Sequence, residues 1–261
     1  MNADIAQRLT PEEQELKRKR AELTALEAEL AQRELELTTL QAELRAFEIR
    51  YLRVVGSCYA ELDKIEAEIA ETLARLHPED HTAQEHAAQT RKQARESAED
   101  AGIAEASTAR DSFQPSESLK KLYRGVARRL HPDLATHEED RTRRHRFMAE
   151  ANNAYGEGDE TRLQAILHEW ESSPELVEGE GVGAELVRII RKIAQVGERL
   201  HTIQAEMARL QASELFQLKK KVEEAEAKGQ DLLAAMAEHV QADIAQARTR
   251  LSEVRQGSSP A

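Results

Sequence analysis

Two long rows of apolar residues limit what this chain can become. In the first, Leu16, Leu23, Leu26, Leu30, Leu37, Leu40, Leu44, Phe47, Tyr51 and Val54 follow one another at steps that are sums of threes and fours. Such spacing, held over about five heptads with charged residues on either side, draws a narrow apolar stripe along a long α-helix, the pattern of a coiled-coil seam. The second row is Leu186, Ile190, Ile193, Val196, Leu200, Ile203, Met207 and Leu210. After an offset near Ala212-Ser213-Glu214 it resumes with Leu215, Leu218, Val222, Leu232, Met236, Val240, Ile244, Leu251 and Val254. As one straight helix of about 70 residues it would reach roughly 105 Å. The offset and Gly229 are equally compatible with a kinked or folded-back course.

Composition agrees with helices rather than a large conventional core: of 261 residues, 33% are charged and 3% aromatic, with 11 Gly and 6 Pro. A net charge of −12 opposes general nucleic-acid binding, which relies on a cationic surface that displaces counterions. The single cysteine, Cys58, precludes an intrachain disulfide and a Cys-based zinc site, and its apolar neighbours make it a packed thiol. The first residues show no basic-then-apolar leader and no apolar run reaches the length of a membrane span. The strongly acidic polar faces of the helices oppose binding to a membrane surface. The expectation is a cytoplasmic protein.

Along the chain, Thr10 caps a helix whose first turn is Pro11-Glu12-Glu13. Arg33 interrupts one core position and is expected to snorkel. At Val54-Val55-Gly56-Ser57 the seam falters, then restarts as Leu62, Ile65, Ile69, Leu73 and Leu76; Gly56 is either a hinge, a phase shift or the bend of a hairpin. From residue 77 to 115 polar residues and alanine dominate, too few large apolar groups to offset the entropy of ordering, so a flexible linker is expected, with at most transient helix between Thr82 and Ala109. Its His77, His81 and His86, with Glu79 and Glu85, are read as solvated side chains and not as a metal site. His77-Pro78-Glu79 follows an acidic helix and is read as a chance turn.

The most informative stretch is Ser118 to Asp133. Leu119, Leu122, Tyr123, Val126, Ala127 and Leu130 fall on one helical face, and Lys120, Lys121, Arg124, Arg128 and Arg129 cover the remainder. Pro132 ends the helix, so a cationic helix runs into a turn bearing His131, Pro132 and Asp133. Residues 119–148 hold nine Lys/Arg against four Asp/Glu, a basic island in an acidic chain that suits an acidic protein partner.

This helix and turn resemble helix II and the His-Pro-Asp loop of the J-domain (DnaJ-like) family. The likeness continues through Met148, Ala151, Asn152, Ala154 and Tyr155, which match the family's third helix, and it covers roughly residues 116–156. Two features depart from the pattern. Ser107 to Gln114 lack the family's Tyr-x-x-Leu-Gly first helix, and the third helix stops early at Gly156-Glu157-Gly158. Asp159 then caps a helix with Leu163, Ile166, Leu167 and Trp170 on one side, expected to pack where the first helix would. The expected module core is Leu119, Leu122, Tyr123, Val126, Leu130, Met148, Ala151, Tyr155, Leu163, Ile166, Leu167 and Trp170, with a cost of about 3–5 kcal/mol for Trp170→Ala.

The fold expected is all-α: an N-terminal coiled coil (1–76), a linker (77–115), a J-like domain (116–170), a second linker (171–183), a C-terminal coiled coil (184–255) and a tail (256–261). The resemblance implies a co-chaperone that docks on a DnaK-type (heat-shock 70 kDa) chaperone and stimulates its ATP hydrolysis. Lys120, Lys121, Arg124, Arg128 and Arg129 would supply charge, Asp133 would engage a cationic group, and His131 and Pro132 would hold the turn. The coiled coils would localise the module, pair it into a homodimer or higher oligomer, or hold a specific client. No Gly/Phe-rich segment or Cys-x-x-Cys region is present. The alternative is a coiled-coil scaffold or adaptor with a non-stimulating J-like module. No Gly-rich phosphate loop, Gly-x-Ser-x-Gly elbow or metal-ligand helix supports an enzyme, and no cofactor or metal is expected.

Overall fold

The computed structural model describes residues 10–106, 113–135, 137–171 and 181–257. These form helices and connecting turns, with no strand among the described residues, so the chain is all-α. The helices are α1 (Pro11–Tyr51), a π-helical turn (Leu52–Gly56), α2 (Ser57–Leu76), α3 (His81–Ala106), α4 (Glu117–Leu130), a 3-10 turn (Pro132–Leu134), α5 (Glu138–Glu157), α6 (Glu160–Glu171), α7 (Val182–Ala212), α8 (Glu214–Glu226) and α9 (Leu232–Gly257). They fall into two compact units, Met1–Glu43 with Phe113–Ala212, and Leu44–Ser112 with Ser213–Ala261. The division cuts across the expected domains: each apolar row is shared between both units, because the partners of each row lie far away in sequence. The linker expected at 171–183 and the tail at 256–261 lie largely outside the described residues, as do residues 107–112.

In the first unit, α1 and α7 run parallel. Arg20 pairs with Glu185, Arg199 Nε donates to Glu34 Oε1 at 2.8 Å and Gln41 Nε2 donates to Glu206 Oε1 at 3.0 Å, each pair 165 residues apart. Between these rungs Glu27 and Lys192 face each other electrostatically at the same separation. The seam beneath buries Leu16, Leu23, Leu30 and Leu37 of α1 with Ile189, Val196 and Ile203 of α7, every step a heptad. Thr10 opens α1 with a capping box: its hydroxyl accepts from Glu13 N at 3.2 Å while Glu13 Oε2 accepts from Thr10 N at 2.8 Å. Arg33 holds the heptad position of Leu26 and Leu40, which pack inward; its side chain is 51% exposed and pairs with Glu36 at 2.9 Å.

The second set of helices in this unit is α4, α5 and α6. Leu119, Tyr123, Val126, Ala127 and Leu130 of α4 meet Phe147, Met148, Ala151, Ala154 and Tyr155 of α5, Leu163 and Ile166 of α6, and Ala31 and Leu35 of α1 in one core. Phe113, Leu122, Leu167 and Trp170 pack on its edge. α5 stops where Gly158 takes the left-handed φ of 75° that glycine adopts without strain, and Asp159 N donates to Ala154 O at 2.8 Å in the closing Schellman turn. Asp159 immediately caps α6, accepting from Arg162 N at 2.8 Å. So the early end of α5 is what swings α6 back onto both α4 and α5.

In the second unit, the faltering seam at Gly56 is neither a hinge nor a hairpin. The helix continues through a π turn at Leu52–Gly56, which takes up an extra residue and rotates the apolar stripe on either side of it. Phe47, Val55, Val222 and Leu233 form one core there, and Ile65, Ile69, Val240, Ile244 and Leu251 another. α2 and α9 are again parallel, with Glu61 paired to Arg248 and Glu68 to Arg255 at equal separations of 187 residues.

The stretch expected to be a flexible linker is α3, a helix packed along α2. It joins α2 through the exposed turn at His77–Asp80 and buries Ala87 and Ala104, the latter fully. Alanine carries strong helix propensity with no side-chain entropy to lose, and small residues let two helices approach closely. The missing large side chains were a packing device, not a sign of disorder. Among the described residues no group of His, Cys, Asp and Glu is placed to hold a metal ion, and no helix is long and apolar enough to cross a membrane.

Candidate functional site

α4 is built to expose charge. Ser116 caps it, accepting from Leu119 N at 3.0 Å, and fixes the phase that turns the apolar face inward. Lys121, Arg128 and Arg129 are exposed, and Lys120 and Arg124 half-buried. Lys120 Nζ reaches Glu117 at 2.9 Å, an exposed pairing of small energetic weight. At the inner end, the Tyr123 hydroxyl donates to Asn152 Oδ1 at 2.7 Å and is bonded to Thr38 Oγ1 at 2.8 Å. The Tyr155 hydroxyl meets Thr39 Oγ1 at 2.8 Å. These bonds lock α4 and α5 to α1. Burial raises the Tyr123 hydroxyl well above its usual range and pushes the Tyr155 hydroxyl upward as well.

The helix ends at a corner. His131 N closes the last turn on Ala127 O at 3.2 Å, and Leu134 N and Ala135 N return to His131 O and Pro132 O at 3.1 and 3.0 Å. The imidazole is 4% exposed and both its nitrogens are engaged. Asp133 N–H donates to Nδ1 at 3.2 Å, so the ring proton sits on Nε2, which donates to Glu34 Oε1 at 2.8 Å. Pro132 is buried with it. Asp133 differs: its side chain keeps 19% exposure and lines an open cavity of about 510 Å³, with Pro132, His137 and Arg141 on one side and Glu198, Arg199 and Thr202 of α7 on the other.

Two neighbouring rungs show how burial is compensated. Burial pushes the Glu34 carboxyl upward, but direct bonds from His131 and Arg199 outweigh it and hold Glu34 below the usual carboxylate range. Burial likewise works against Arg199, yet Glu34 keeps it above its ordinary value. One heptad earlier burial wins: Glu27 is raised and Lys192 lowered despite facing each other. Direct hydrogen bonds, not proximity of charge, decide the difference.

Arg144 of α5 supports the corner from behind. It is 8% exposed, donates through Nη1 to Arg129 O at 2.8 Å and through Nε to Asp140 Oδ2 at 2.8 Å, and its guanidinium carbon lies 4.7 Å from the Trp170 ring centroid. A cation against the last carbonyls of α4 favours that helix end. Trp170 therefore closes the module less as a buried core residue than as a half-buried lid over arginine, edge-on to Phe147 at 5.8 Å.

The basic residues of α4 thus stay exposed or half-buried, and the helix runs directly into a turn in which His131 is enclosed while Pro132 and Asp133 line the cavity. Glu34, Arg199, Arg144, Thr38 and Thr39 are the residues that sequence reasoning did not single out. For Glu34, Thr38 and Thr39 the one available signal was a run of polar residues beside the seam of α1; Arg144 and Arg199 left none. No protein-family model, no curated protein and no solved structure matches the chain.

Proposed function

We propose that residues 116–170 are a J-like docking module, carried on α1 and α7, that binds a DnaK-type chaperone and stimulates its ATP hydrolysis. The observation that carries this reading is that α4, with its basic side chains exposed or half-buried, leads in the chain directly into the turn whose Asp133 lines an open cavity. A basic helix in a chain of net charge −12 steers an acidic surface toward α4, and the Asp133 carboxylate then meets a cationic group of the partner. The paired helices localise the module or present a client. α1 and α6 stand in for the first helix that the resemblance leads one to expect, and the core they share with α4 and α5 gives two short helices enough apolar area to fold.

The competing reading, a helical scaffold with a non-stimulating module, is favoured by one observation: the His131 imidazole is enclosed and bonded to Glu34 of the protein's own α1. ATP turnover by a DnaK-type chaperone separates the two. The docking reading predicts that the chain accelerates turnover and that Asp133→Asn removes the acceleration while leaving the helical content intact. Turnover that stays basal at every concentration of a well-folded chain establishes the scaffold.

A further inference from the structure

Of the rungs between α1 and α7, Arg20 with Glu185 keeps its side chains 56% and 40% exposed, whereas Glu34 is 5% exposed. A carboxylate so enclosed is sustained only by strong donors, and it has two, Arg199 from α7 and the imidazole of His131. The second reaches across to another structural element and continues: the same ring, through Nδ1, receives the backbone N–H of Asp133. Glu34, His131 and the Asp133 amide therefore form a single chain of hydrogen bonds whose fixed end is the α1–α7 seam and whose free end is the residue that opens onto the cavity.

We infer that Glu34 is a positioning residue for Asp133: by fixing the tautomer and plane of the His131 ring it holds the Asp133 backbone amide, and with it the place from which the Asp133 side chain lines the cavity. The inference rests on the docking reading, since it assigns to Asp133 the contact with the partner. Arg199 serves the same end from the other side, holding Glu34 in the rotamer that meets the imidazole. The seam of α1 and α7 is thereby part of the docking apparatus and not only its carrier.

The test uses the full chain with Glu34→Ala and Glu34→Gln, the amide of Gln retaining an acceptor oxygen for Nε2–H. Nitrogen NMR of the imidazole and hydrogen exchange of the Asp133 amide report the chain of bonds without any partner. The wild type is expected to show the Nε2–H tautomer, and Glu34→Ala to mix tautomers and exchange the Asp133 amide about tenfold faster, the factor a lost hydrogen bond to a charged group gives. Glu34→Gln is expected to restore most of both. In ATP turnover with a DnaK-type chaperone, Glu34→Ala needs roughly tenfold more protein for half-maximal stimulation, Glu34→Gln within about threefold of wild type, and Lys121→Ala, away from the corner, serves as a docking control with an unchanged tautomer. An unchanged tautomer and Asp133 exchange in Glu34→Ala overturn the inference, as does stronger stimulation by Glu34→Ala, which would make the contact a seal. If the wild type stimulates nothing, the docking reading fails and the partner-free NMR alone decides whether Glu34 orients Asp133.

Discussion

At the scale of single residues, the largest energies sit where aromatic rings join α5 to its neighbours. Phe147 is 1% exposed, so Phe147→Ala should cost about 3–5 kcal/mol, as buried aromatic truncations do. Trp170, half-buried and held by an edge contact and a guanidinium, should cost about 2 kcal/mol on truncation, less than its place as the sole tryptophan suggests. Urea denaturation of the two variants checks the order; equal losses would contradict it. Acid sensitivity separates two carboxylates one heptad apart. The folded-state pKa of Glu34 lies below its unfolded value, so its contribution is present above the ordinary carboxylate range and fades as pH falls through the lower, folded value. Glu27 is shifted upward, so its ionised form weighs against folding at neutral pH. Glu34→Gln is therefore expected to destabilise at pH 7 and lose its deficit in acid, and Glu27→Gln to be neutral or stabilising at pH 7, both read from denaturation midpoints across pH. Most apolar members of the α4–α5–α6 core were legible because each helix has one buried face, but Phe147, beside the expected Met148 on α5, was missed. Glu34 and Arg199 were not, because their role depends on a partner 165 residues away and nothing in a heptad distinguishes a solvated flank from one covered by a third helix.

At the scale of elements, period identified the long helices, and residue chemistry the caps at Thr10 and Asp159 and the stop before Pro132. It failed at α3, where the expected linker is an alanine-rich helix held against α2 by small side chains. Hydrogen exchange tests that correction directly: amides between Ala87 and Ala104 should be protected as strongly as those of α2, whereas exchange at the rate of an unstructured chain would restore the linker. At Gly56 the sequence signalled a disturbance without its form. A π turn and a hinge both break a three-four rhythm, and only the closeness of Leu52, whose Cδ2 would lie 3.1 Å from an added Cβ, shows why a residue without a side chain sits there.

For the whole molecule, apolar stripes find partners inside the same chain: α1 with α7 in the first unit and α2 with α9 in the second, each pair parallel. The sequence displayed both rows but not their pairing, since a stripe on a helix fits a partner from its own chain or another equally well. Within the first unit, the cationic helix α4 packs against α1, α5 and α6 and leads into the turn that carries Asp133. The account stands on that helix being a contact surface for an ATP-loaded DnaK-type chaperone. Hydrogen exchange of the full chain with and without that chaperone tests it most directly. Slowed exchange in residues 119–134, lost with Asp133→Asn and weakened by added salt, is the predicted result. A footprint elsewhere on the chain, or none at saturating chaperone, would contradict it.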